Sequence, residues 1–105
     1  MQEENVENNK IHEIRLIVAG TRTFDDYVLM KEKLDQIILG LREDYSGAPV
    51  VIISGNAKGA DQLGIRYAME RNLSFRRFPA QWHQYGKAAG PMRNAQMLAY
   101  AKEGI

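Results

Sequence analysis

Three short stretches combine cations, glycines and hydrogen-bonding side chains: G-T-R-T-F at 20–24, S-G-N-A-K-G-A-D at 54–61 and K-A-A-G-P-M-R-N at 87–94. Each suits an anion. Gly20 and Thr21 lead to a helix start, where free N–H groups and the helix dipole favour negative charge, and Arg22 can grip phosphate or carboxylate with two prongs. In the second stretch Gly55 and Gly59 permit close backbone approach or positive φ, Ser54 and Asn56 supply polar groups, and Lys58 supplies charge. In the third, Lys87 and Arg93 can neutralise phosphate beside Gly90 and Asn94, while Trp82 and Tyr85 just upstream are candidates for stacking on a base. The same residues also suit plain strand-to-helix turns with solvated cations and loop-anchoring aromatics, so no single stretch decides the matter.

Asp61 carries the one catalytic assignment. A carboxylate at a helix start is ordinarily a cap. If phosphate binds at the same helix end, the two charges compete, and Asp61 then faces ribose hydroxyls or a bridging divalent cation. Gly55 and Gly59 form G-x-x-x-G, which is neither the dinucleotide G-x-G-x-x-G nor the Walker G-x-x-x-x-G-K-[ST]. Ser54 lacks the G-x-S-x-G elbow of a nucleophile, and nothing in the sequence gives His83 a partner as general base.

The elements that must position these stretches alternate. I-R-L-I-V-A at 14–19 is short, apolar and ended by glycine, which predicts a buried strand. Tyr27, Met30, Leu34, Ile37 or Ile38, and Leu41 recur at helical spacing, predicting a helix over 26–43 with Asp25 or Asp26 as its cap. V-V-I-I at 50–53 is a second buried strand. A helix follows over 60–71, with Asn72 as a left-handed stop, and then a strand over 74–78. A long loop is predicted over 79–90, with Pro91 in the first position of a helix that continues to about residue 102.

Strand and helix alternating three times predict a Rossmann-like three-layer α/β/α fold with a parallel sheet, here three βα units. In such sheets the segments leaving the carboxyl ends of strands share one edge, so the three stretches converge there.

At 105 residues the chain has room for one domain, read as 13–105 after a polar leader over 1–12. The leader and Glu13 hold Glu3, Glu4, Glu7 and Glu13 against Lys10, a charge of −3, so the remainder of this +1 protein carries +4. That modest excess suits a phosphate-bearing ligand better than a nucleic acid. The absence of cysteine excludes thiol chemistry and thiolate metal sites, and the apolar runs are too short to span a bilayer, so a cytoplasmic protein without a membrane partner is expected.

G-T-R-T-F-D-D, S-G-N-A-K-G-A-D-Q-L-G and W-H-Q-Y-G-K-A-A-G-P-M-R-N-A-Q-M occur in the order found in the YspA-like branch of the SLOG superfamily. The chain resembles that branch over roughly residues 14–100. The superfamily includes the Rossmann-like domain of DprA, the DNA-processing protein, and the lonely guy phosphoribohydrolases. The resemblance implies a nucleotide or nucleotide-derived ligand at the three stretches, with Gly20, Arg22, Gly55, Gly59, Ala60, Asp61, Lys87, Gly90, Arg93 and Asn94 as the matched positions. The P-G-G-x-G-T motif of the lonely guy enzymes is absent.

Relatives of that branch continue into a further strand, so the domain is expected to be truncated at its C-terminus or completed by another subunit as a homo-oligomer. No cofactor is implied beyond Mg2+ as companion to a nucleotide. Two further readings stand beside nucleotide binding: hydrolysis of a nucleotide or its N-glycosidic bond through Asp61, and single-stranded nucleic-acid binding.

Overall fold

A computed structural model describes residues 13–104; the predicted leader lies outside the described residues. The order is β1 (Ile14–Ile17), α1 (Tyr27–Asp44), β2 (Val50–Ser54), α2 (Ala60–Glu70), β3 (Ser74–Arg77), α3 (Trp82–Tyr85), a 3-10 turn (Gly86–Ala88) and α4 (Ala89–Lys102). The three strands form one parallel sheet in the order β1-β2-β3. Its register sets Leu16 beside Ile52 and Ile52 beside Phe75. β2 is central, and all five of its residues are buried, as a continuous apolar run requires.

Two successive crossovers run in one direction across the sheet, and the right-handed rule for such connections puts α1 and α2 on the same face. There Ile14, Val18, Val50 and Ile52 of the sheet region meet Met30, Leu34 and Ile38 of α1 and Tyr67 and Ala68 of α2. The opposite face takes α4, which buries Ala89 and Met97. Arg15 donates from Nη1 to the Tyr100 carbonyl at 2.7 Å and lies 3.8 Å over the Tyr100 ring; Arg76 approaches the same ring at 4.5 Å. The three-layer α/β/α expectation is thereby met.

The helix ends follow local chemistry. Asp26 caps α1, its Oδ1 accepting the Leu29 N–H at 3.0 Å. Asn72, at φ 58°, ends α2 in a Schellman arrangement: the Leu73 N–H reaches the Ala68 carbonyl at 2.8 Å and the Asn72 N–H reaches the Met69 carbonyl at 3.2 Å.

Two expectations need correction. The segment at 79–90 is not an open loop but holds α3 and the 3-10 turn, which begins directly after it at Gly86, φ 56°. A single helical turn has no period to read in a sequence. Pro91 is the third residue of α4, not the first. The first turn of a helix has no internal acceptors for its N–H groups, so proline there loses no hydrogen bond.

Between α1 and α2 runs a polar seam. Tyr67 donates its hydroxyl to Asp35 Oδ1 at 2.5 Å, and Arg71 forks onto the same carboxylate from Nε at 3.1 Å and Nη2 at 2.7 Å. One turn along, Glu70 accepts from Tyr27 at 2.8 Å and pairs with Lys31, while Arg66 lies 3.9 Å over the Tyr27 ring. The Arg71 guanidinium, and after it the Tyr67 hydroxyl, hold the Asp35 carboxyl below the usual carboxylate range. Burial, reinforced by the bond to Asp35, pushes the Tyr67 hydroxyl up to about 12. No helix among the described residues is long and apolar enough to cross a membrane.

Candidate functional site

At the carboxyl edge of the sheet, the segments after all three strands meet around a cleft of about 390 Å³. Arg22 comes from the first segment, Gly55 to Lys58 from the second, Pro79, Ala80 and Trp82 from the third, and Arg93 from the first turns of α4. This is the convergence expected of an open parallel sheet.

The middle segment is held from within. Ser54, fully buried, donates its hydroxyl to the Asp61 carbonyl at 2.9 Å and accepts the Asn56 N–H at 3.0 Å. Asp61 Oδ2 accepts the Ala57 N–H at 3.2 Å, and Gln62 Nε2 donates to the Asn56 carbonyl and Oδ1, both at 3.1 Å. Asn56 accordingly sits at φ 63°, a left-handed conformation that asparagine tolerates better than most residues. Gly59 closes the turn at φ 76°, where an added Cβ would lie 2.2 Å from the Thr21 carbonyl oxygen. Only glycine lets the first and second segments come this close. The Ala60 N–H donates to that same Thr21 oxygen at 3.3 Å.

Arg93 ties the third wall to the second. Its Nη1 donates to the Gly55 carbonyl at 2.6 Å, and its Nε donates to Asn94 Oδ1 at 2.8 Å. Asp61 Oδ2 and Arg93 Nη1 stand on the Cβ side of Gly55, 2.8 and 2.6 Å from the point a side chain would occupy.

This wiring constrains the chemistry. The N–H groups of Asn56, Ala57 and Ala60 are already engaged, and the first turn of α2 holds its own carboxylate, Asp61. An incoming anion therefore meets side chains first. Arg22, Lys58 and Arg93 line the cleft, and among the described residues none of them forms an ion pair.

The residues singled out in the sequence divide by position. Arg22, Gly55, Asn56, Lys58, Trp82 and Arg93 line the cleft. Thr21, Ser54, Gly59, Ala60 and Asp61 build its floor through the contacts above, and Gly20 packs against Ala60, whose Cβ lies 2.8 Å from where a Gly20 Cβ would stand. Asp61 is only 5% exposed and does not line the cleft. Gly90 supports Trp82, and Asn94 braces Arg93. Tyr85 borders a small adjoining hollow of about 10 Å³, which shares Pro79 and Arg93 with the cleft, and Lys87 lies on the exposed 3-10 turn, lining neither. Ala57, Pro79 and Ala80 also line the cleft; their place directly after β2 and β3 is the signal that finds them. Among the described residues no group of three His, Asp or Glu side chains could hold a metal.

Comparison with known proteins agrees with this architecture. The profile of the YspA, cpYpsA-related SLOG family matches residues 14–85. The Gene 61 protein of Mycobacterium phage D29 is 30% identical over 89 residues, which cover 80% of this chain and 67% of that relative. No solved structure matches significantly.

Proposed function

We propose, from the premise that the chain belongs to the YspA, cpYpsA-related SLOG family, that the cleft binds a nucleotide or nucleotide-derived ligand through its phosphate. The observation that carries this reading is the meeting of Arg22, Lys58 and Arg93, from three separate segments, around one cleft whose lining includes no carboxylate. A guanidinium or ammonium with no carboxylate partner favours a multiply charged anion over water. Phosphate on a nucleotide supplies that charge.

Binding is favoured over hydrolysis by the position of Asp61. Its carboxylate is buried and accepts from the Ala57 backbone, so it shapes the 54–59 turn from behind rather than facing a bound molecule. Mg2+ would enter with the ligand's own phosphates.

Calorimetric titration with nucleoside 5′-monophosphates, nucleoside diphosphates and ADP-ribose tests the reading. At least one phosphate-bearing compound should bind, and its unphosphorylated nucleoside should bind far more weakly. Failure of the whole panel, or equal binding of the nucleoside, overturns it.

A further inference from the structure

We infer that Trp82, seated on Gly90, makes this cleft selective for phosphates that carry a planar ring, over sugar phosphates that lack one. The inference rests on the anion-binding reading above and adds the class of group bound at the other end. Trp82 is 49% exposed although it lines the cleft, so much of the indole has no protein neighbour. Large aromatic surface left beside a cationic cleft suits stacking by a heteroaromatic ring.

Gly90 fixes where that surface lies. A Cβ at residue 90 would stand 3.2 Å from Trp82 Cη2 and 3.9 Å from Cζ2, with Arg93 Nη2 also at 3.9 Å. The outer edge of the six-membered ring thus rests where a side chain would be, and the guanidinium that faces the anion reaches the same spot. The indole edge and the guanidinium both border the point that a methyl group would fill. Tyr85 borders a small adjoining hollow that shares Pro79 and Arg93 with the cleft, whereas Trp82 lines the cleft itself and presents the larger ring there.

Gly90 is therefore a positioning residue, and its effect on recognition is read from the ratio of nucleotide to ribose 5-phosphate affinity. It is buried in the first turn of α4 directly before Pro91, where a Cβ is disfavoured in the helical conformation. Gly90→Ala should lower the unfolding temperature modestly, while the methyl shifts the indole by a few tenths of an ångström.

The experiment compares AMP, GMP, CMP and UMP with ribose 5-phosphate by calorimetry, with the fluorescence of Trp82, the only tryptophan in the chain, as second readout. At least one nucleotide should bind about tenfold or more tighter than ribose 5-phosphate, in line with the strength of base–aromatic stacking, and should change the emission. Trp82→Ala should bring the two affinities together while leaving that for ribose 5-phosphate in place, and Gly90→Ala should narrow the gap. Equal affinities in the wild type, or a preference that survives in Trp82→Ala, overturn the inference and leave the anion site standing. Absence of binding by both classes overturns the anion site and this inference with it.

Discussion

The cleft and the α1–α2 seam hold similar numbers of cations and use them in opposite ways. In the seam Arg71 is forked onto Asp35, Lys31 is paired with Glu70, and Arg66 is stacked on Tyr27. In the cleft Arg22 and Lys58 have no such partner among the described residues, and Arg93 is bound only to a carbonyl and an amide oxygen. A charge matched by its neighbours joins two helices. A charge left without a carboxylate is available to something outside the protein. A count of basic residues would rate the two regions alike; their partners distinguish them.

The sharpest way to break the comparison is to remove the joint that aligns the cleft. Gly59→Ala places a methyl group 2.2 Å from the Thr21 oxygen at a backbone φ of 76°. The expected loss is about 3 kcal/mol of stability in urea denaturation, accompanied by loss of ligand binding. Next, Arg22→Ala and Lys58→Ala should each weaken nucleotide binding about tenfold with little change in the urea midpoint, because each removes a charge with nothing of its own to hold. If either variant loses stability instead, that cation belongs with the seam.

The smallest effect comes from the seam itself. Asp35→Asn should cost about 1 kcal/mol at neutral pH and leave ligand affinity untouched. Because the folded-state pKa of Asp35 is lowered, its contribution is present above the unfolded value near 4 and is lost as pH falls through the lowered one. The gap between wild type and Asp35→Asn should therefore narrow in urea titrations as pH falls below about 4 and close only below the lowered folded-state value. At the other limb, the contribution of Tyr67 is complete below about pH 10 and disappears as pH rises through about 12.

What could be read in the sequence was whatever depends on a local period or a strand followed by glycine. Helix α1, predicted over 26–43, spans Tyr27–Asp44 with its cap at Asp26, and the second strand, predicted over 50–53, extends by one residue to Ser54. The meeting of the three segments also followed, since parallel topology alone puts them on one edge. The segment at 79–90 was less legible: its turn of helix and the 3-10 turn after it set Trp82 on the cleft, Tyr85 on an adjoining hollow and Lys87 on neither, where spacing alone had grouped them together. Asp61 shows the same limit in another form. Its type and place suggested a group facing a ligand, whereas its partner, the Ala57 N–H, lies four residues back in a turn whose shape no short-range pattern specifies. The seat under Trp82 depends on a contact between residues 82 and 90 across two helical pieces, and sequence offers only a glycine there.

The central position of β2 has a kinetic consequence. Its pairings reach back from Val50 to Ile14 and forward from Val51 to Ser74, so each needs a whole crossover segment to close before any ladder bond is gained. Arg22, Lys58 and Arg93 belong to segments that come together only when both closures are complete. A phosphate compound that needs all three therefore finds no partner in a chain that is still folding. Its presence should slow unfolding in proportion to its saturation and leave the refolding rate where it was.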